Sequence, residues 1–93
     1  MILSFRCKHT EALLASGISH PSWQSFARAA RRKLLLIDSA RILNDLRVPP
    51  RNRLEALRAD RLGQHSIRVN DQYRVCFVWR DSDAYHVEIV DYR

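Results

Sequence analysis

No apolar run in this 93-residue sequence approaches the length a bilayer span needs, so a membrane helix is not expected. The opening MILSFRCKHT has a short apolar stretch and no basic region ahead of it. A secretory signal is therefore not expected either, and the cytoplasm is the expected compartment. Cysteine is scarce: Cys7 and Cys76 cannot build a disulfide framework, and Cys76, inside an apolar strand pattern, reads as a small core residue. With no CxxC and no clustered His/Cys set, neither a zinc site nor any other metal or cofactor is expected. Internal repeats, low-complexity tracts and a second domain are all missing from the pattern. The length fits a single domain over residues 1–93, with a core no larger than one sheet under one or two helices.

Lysine is almost missing as well, and what replaces it is informative. Of the 16 basic residues only Lys8 and Lys33 are lysine; the rest are arginine, the side chain suited to bidentate phosphate recognition. The formal charge is +6, and the segment from Arg28 to Arg68 alone holds eleven basic residues against four acids. Such a footprint points to nucleic acid, with an acidic protein as the second option and a merely solvated face as the third.

Read in order, Met1–Phe5 is expected as a strand and Thr10–Gly17 as a brief helix, with Thr10 as N-cap and Gly17 just past the end. A second helix starts at Pro21. Trp23, Phe26, Ala27, Ala30, Leu34 and Ile37 recur at helical spacing as its buried stripe, and the helix is expected to reach about Leu46 before Pro49-Pro50 stops it. Arg51–Leu62 fits a helical turn or a structured loop; the loop is favoured because Gly63 ends the segment and a strand follows. His65–Val69 and Tyr73–Trp79 form a hairpin signal, turned at Asn70-Asp71. A three-residue loop over Asn70, Asp71 and Gln72 sets Ile67 against Val75 and Arg68 against Arg74. Ile67, Val69, Tyr73, Val75, Phe77 and Trp79 then share the core face, while Ser66, Arg68, Arg74, Cys76 and Val78 share the other. A two-residue loop would mix the faces. Two arginines directly opposed repel each other, which suggests an anion between them. Ala84–Val90 is the last strand, with Val87 and Ile89 inward and Glu88, Val90 and Tyr92 outward.

The stretch RLEALRADRLGQHSIRVNDQYRVCFVW (53–79), the closing DAYHVEIVDYR (83–93), the early MILSF and the helix from Pro21 together resemble the RelE superfamily of bacterial toxins, most closely the HigB type. The resemblance implies an α+β fold, a single RelE-like domain with a curved, mainly antiparallel sheet packed against two N-terminal helices. It also implies a ribosome-dependent mRNA endonuclease that cuts in the A site of the 70S ribosome and is neutralised by a helix-turn-helix antitoxin of the HigA type. Carried over by position, Arg58 resembles the basic residue near the scissile phosphate. Arg74 matches the arginine that stabilises charge there, and Tyr92 the tyrosine that orients the attacking 2′-hydroxyl. Arg53, Arg61, Arg68, Asp91, Arg93, Arg32 and Lys33 are the expected contacts to RNA or ribosome. The chain departs from the family where many members carry histidine: it has Glu55 instead, and it closes on Asp-Tyr-Arg. Glu55 is then a candidate general base held between Arg58 and Arg53, with an ordinary salt bridge as the simpler role. His65 and His86 are the other histidines within reach of a shuttle role.

Overall fold

The computed structural model describes residues 1–92. It contains two helices, α1 (Lys8–Ser16) and α2 (Ala27–Ser39), and four strands, β1 (Glu55–Ala56), β2 (His65–Arg68), β3 (Tyr73–Arg80) and β4 (Asp83–Asp91). The strands form one antiparallel sheet in the order β1-β2-β3-β4. This is the α+β arrangement expected.

The hairpin register is the one that alternation demands. Ile67 pairs with Val75 and Arg68 with Arg74, and the amides of Val69 and Asn70 both donate to the carbonyl of Tyr73, at 3.0 and 3.2 Å. Asn70 supplies the turn chemistry: its side-chain oxygen accepts from the amides of Gln72 and Tyr73 at 2.9 and 2.7 Å. Ile67, Val75 and Phe77 are fully buried on the helix-covered face. β4 carries a bulge, because Cys76 faces Glu88 while Val78 faces Tyr85, leaving His86 and Val87 opposite Phe77. His86 takes a φ of 54°, and the extra residue lets Ala84, Val87 and Ile89 all turn inward.

Trp23, Phe26, Ala30, Leu34 and Ile37 are buried as the helical spacing requires, with Phe26 stacked on Tyr73 at 4.4 Å between ring centroids. The helices are cut differently from the expectation. Helix α1 begins three residues early, with Cys7 as its N-cap in place of Thr10. Thr10 is not a cap but a buried residue whose hydroxyl accepts from the amide of Ile89 at 3.1 Å, tying α1 to β4. Gly17 does end the helix, at φ 72°. Arg31 also serves that end, donating to the carbonyls of Leu13 and Leu14 at 3.0 and 3.1 Å.

The long helix expected from Pro21 to Leu46 is three pieces: a 3-10 turn at Pro21–Trp23, α2, and a 3-10 turn at Leu43–Arg47. Asp45 explains the second break. Its carboxylate accepts from the amides of Arg41 and Ile42 at 2.9 and 3.2 Å, offering the chain a fresh cap in place of a continued helix. Those two bonds hold the Asp45 carboxyl below the usual range. Met1–Phe5 is likewise not a strand. Ile2 and Phe5 make isolated parallel bridges to Ala84, ahead of the β4 bulge, and to Val87 within it, and no continuous ladder joins them. Arg51–Leu62 is the favoured loop, with one unforeseen feature, the two-residue strand β1 paired to β2.

Candidate active site

The face of the sheet turned away from the helices carries two rows of side chains. Register puts Glu55, Ser66, Cys76 and Glu88 in one row and Arg68, Arg74 and Val90 in the next. A polar row across the middle of a sheet must satisfy itself or be wetted. Here it satisfies itself through Arg74.

Arg74 is fixed from three directions. Its Nε donates to Ser66 Oγ at 2.8 Å, its terminal nitrogen donates to the carbonyl of Arg53 at 2.6 Å, and Glu55 Oε1 lies 3.6 Å from that nitrogen. Arg53 is able to offer its carbonyl because it adopts a left-handed backbone, φ 46°, at the end of the Pro50–Asn52 turn. The Arg74 side chain is only 12% exposed. Its Cζ sits 5.7 Å from the centroid of the Tyr92 ring, a cation–π distance. Tyr92 in turn is anchored by its amide, which donates to the carbonyl of Gln72 at 2.7 Å, while Gln72 Nε2 donates to the Asp91 carboxylate at 2.9 Å.

Beside this assembly is a cleft of about 450 Å³ lined by Glu55, Ala56, Leu57, Arg58 and Tyr92. The structure therefore brings four of the expected residues, Glu55, Arg58, Arg74 and Tyr92, into one place. Its chemistry is that of an anion receptor with a phenol at the rim: two guanidiniums, one rigidly aimed, and one carboxylate.

The remaining candidates are distributed differently. Arg53 contributes its backbone to the site. Arg61 turns inward, with its terminal nitrogen 3.1 Å from Gln64 Oε1 and 3.2 Å from Glu88 Oε2. Arg32 is exposed on α2, and Lys33 donates to Asn52 Oδ1 at 2.6 Å. Partial burial, then the charges of Arg32, Arg68 and Arg51, pull the Lys33 ammonium below its ordinary range. These cations form a second basic cluster. Arg93 lies outside the described residues.

Two electrostatic expectations change. Arg68 and Arg74 are opposed as expected, but no anion is needed between them, because Arg68 is ion-paired with Asp71 and Arg74 with Glu55. Glu55 is not held between Arg58 and Arg53; its partner is Arg74. His65 belongs to the other face, paired across the ladder with Ala56 and Phe77. Its ring lies 6.3 Å from that of Phe77, and burial pushes its pKa down. The sequence reading missed Ser66 and Glu88 as site residues. Alternation had already put both on this face, which was the available signal.

The two helices and four-stranded antiparallel sheet that carry this site are the α+β fold of a RelE-like toxin. The family described as RelE-like toxin of type II toxin-antitoxin system HigB matches residues 3–93, and the chain belongs to that family. Among relatives, the chain is 42% identical over 87 residues to Toxin HigB-1 of Vibrio cholerae serotype O1, covering 90% of each chain. An uncharacterised protein of Haemophilus influenzae is 42% identical over 53 residues, 57% of this chain and 52% of its own length. Membership of a type II system gives the protein an antitoxin as its partner. No helix among the described residues is long and apolar enough to cross a membrane.

Proposed function

We propose that this toxin is a ribosome-dependent mRNA endonuclease that arrests translation by cutting message in the A site of the 70S ribosome. The reaction is attack of a ribose 2′-oxygen on the adjacent phosphorus with cleavage of the bond to the 5′-oxygen. It needs a proton taken from the 2′-hydroxyl, charge stabilised on the phosphorane and a proton given to the 5′-oxygen. Arg74 serves the second task and Arg58 approaches the same phosphate from the cleft. Tyr92 orients the 2′-hydroxyl, and Glu55 is the carboxylate within the site that can take its proton. Arg53, Arg68, Asp91, Arg32 and Lys33 hold RNA or ribosome around it, with Arg93 as a further contact. The ribosome contributes by splaying the message toward an in-line geometry. The neutralising partner is a helix-turn-helix antitoxin of the HigA type.

The observation that carries this reading is the threefold fixing of Arg74 beside Tyr92 at the mouth of the cleft. A guanidinium already aimed loses little freedom when a phosphate arrives. One observation favours a second reading, a ribosome or RNA binder with weak or no cutting: Glu55 is engaged with Arg74, and His65 faces the core. Mapping the 5′ ends of message on translating ribosomes separates them. Wild type is expected to cut, and Arg74→Ala to cut about a hundred- to a thousandfold more slowly, as for loss of one preorganised donor. Cuts that persist unchanged in Arg74→Ala overturn the mechanism. A wild type that binds ribosomes and cuts nothing establishes the binder.

A further inference from the structure

Ser66 and Cys76 lie on the face that no helix covers, yet both are completely buried. Arg74 covers Ser66 on that face, and the segment between β1 and β2 reaches over the same face, since its Arg61 meets Glu88 on β4 and acts on Cys76. The neck of that segment is closed by the Leu57 amide donating to the Gln64 carbonyl at 2.9 Å, and Leu57 and Gln64 are themselves buried. Between them the chain makes one tight turn, Arg61 amide to Arg58 carbonyl at 3.1 Å and Leu62 amide to Ala59 carbonyl at 3.1 Å. Two residues of this turn are left-handed, Gly63 at φ 92° and Ala59 at φ 56°. For glycine that conformation is free, but for alanine it is strained, so the turn persists only where something else holds it.

Glu88 provides the hold. It lies on β4, its side chain is 16% exposed, and Oε2 receives Arg61 at 3.2 Å and Arg6 at 3.7 Å. Partial burial works against the Arg61 charge, but the bond to Glu88 and its negative charge outweigh this, so the guanidinium is held protonated more firmly than usual. Arg58, three residues before Arg61, makes no side-chain hydrogen bond or ion pair among the described residues, so only the backbone of the turn aims it into the cleft.

We infer that Arg61 and Glu88 form a latch, in which Arg61 is a positioning residue that acts through Arg58 and is not itself a contact to RNA. The activity arm of this inference rests on the nuclease reading above; the structural arm does not. Breaking the latch lets Ala59 leave its left-handed conformation, and Arg58 loses its fixed approach to the phosphate.

The test combines two measurements on the full chain. In single-turnover cleavage on mRNA-programmed ribosomes at saturating toxin, Arg61→Ala is expected to cut about a hundredfold more slowly, the scale of an ångström-level misplacement. Its affinity for ribosomes, measured separately, should stay close to wild type. Arg58→Ala and the Arg58→Ala/Arg61→Ala double variant should then cut at the same rate, because a residue acting through another adds nothing once that other is gone. Additive losses, or weakened ribosome affinity with an unchanged rate at saturation, overturn the latch and make Arg61 an RNA contact. Hydrogen exchange on Glu88→Gln is the independent measurement: amides 58–64 should exchange faster while those of β3 and β4 keep their wild-type protection. Unchanged exchange in 58–64 overturns the latch even if the rates agree. Faster exchange in a toxin that cuts nothing keeps the latch and removes the nuclease reading.

Discussion

The two faces of the one sheet are built by the same alternation and are used in opposite ways. On the inner face Ile67, Val75, Phe77, Val87 and Ile89 pack in one apolar core with the residues of α1 and α2, and burial of apolar area dominates. On the outer face the same strands present Ser66, Arg74, Cys76 and Glu88, and these are also largely buried, but under a loop and among one another. A buried polar face contributes little net stability when satisfied and costs heavily when one partner is removed. Its return is geometry: each guanidinium has one place to be. The inner face makes the protein fold, and the outer face makes it specific.

The largest test of this division is Phe77→Ala. Phe77 is fully buried at the bulge, so truncation is expected to cost about 3–5 kcal/mol in a urea or thermal melt. A loss below about 1 kcal/mol would mean that the inner face is not the stability core. Next comes Ser66→Ala, on the neighbouring strand beside the His65–Phe77 pair and on the opposite face. It removes the Nε anchor of Arg74 and, by leaving that largely buried donor unpaired, should cost about 1–3 kcal/mol of stability, less than Phe77→Ala. If the proposed nuclease reading holds, cleavage should nevertheless fall by about tenfold, which corresponds to about 1.4 kcal/mol at the transition state. Equal effects of Phe77→Ala and Ser66→Ala on melting would erase the contrast.

A smaller effect concerns His65, whose Nδ1 is buried without a hydrogen-bond partner among the described residues. Its pKa in the fold is depressed, so the unfolded chain binds the extra proton more readily. Stability from this group is complete above the ordinary histidine value of about 6.5 and is lost as pH falls below it toward the folded value. His65→Phe, which packs in the same direction and does not titrate, should flatten the melting temperature between about pH 7 and pH 5. An unaltered acid slope would show that other groups set it. The smallest expected effect is none at all. Cys76 is buried and its thiol is pushed up in pKa by that burial, so a thiol reagent at neutral pH should label Cys7 in the folded protein and reach Cys76 only on unfolding.

These contrasts also explain what could be read in the chain and what could not. The register of Ile67 on Val75 and Arg68 on Arg74 was legible because a period of two and a three-residue turn leave one solution that keeps the apolar residues together. Arg74, Arg58, Tyr92 and Glu55 lie around one cleft, but with Glu55 on Arg74 and not between Arg58 and Arg53. The helix breaks were not legible, because apolar spacing from Trp23 to Ile37 reports which residues face the core and is silent on Asp45 capturing two amides. Thr10 looks like a cap by type and acts as a bridge to Ile89, a contact 79 residues away that no local pattern encodes. The pairing of Arg61 with Glu88 is hidden for the same reason, since it requires knowing that the loop folds over the sheet.

The edges of the sheet have a consequence for how the protein behaves at high concentration. On one side Ile2 and Phe5 lie along β4, with amides of Leu3 and Arg6 donating to Ala84 and Val87 at 2.8 and 3.0 Å. On the other side the outermost strand is only the two residues Glu55 and Ala56, interrupted at once by left-handed residues at Arg53 and Ala59. A template of that length offers an incoming chain almost nothing to zip onto, and a carboxylate stands beside it. A toxin freed from its antitoxin is thereby guarded against stacking, strand on strand, with other copies of itself.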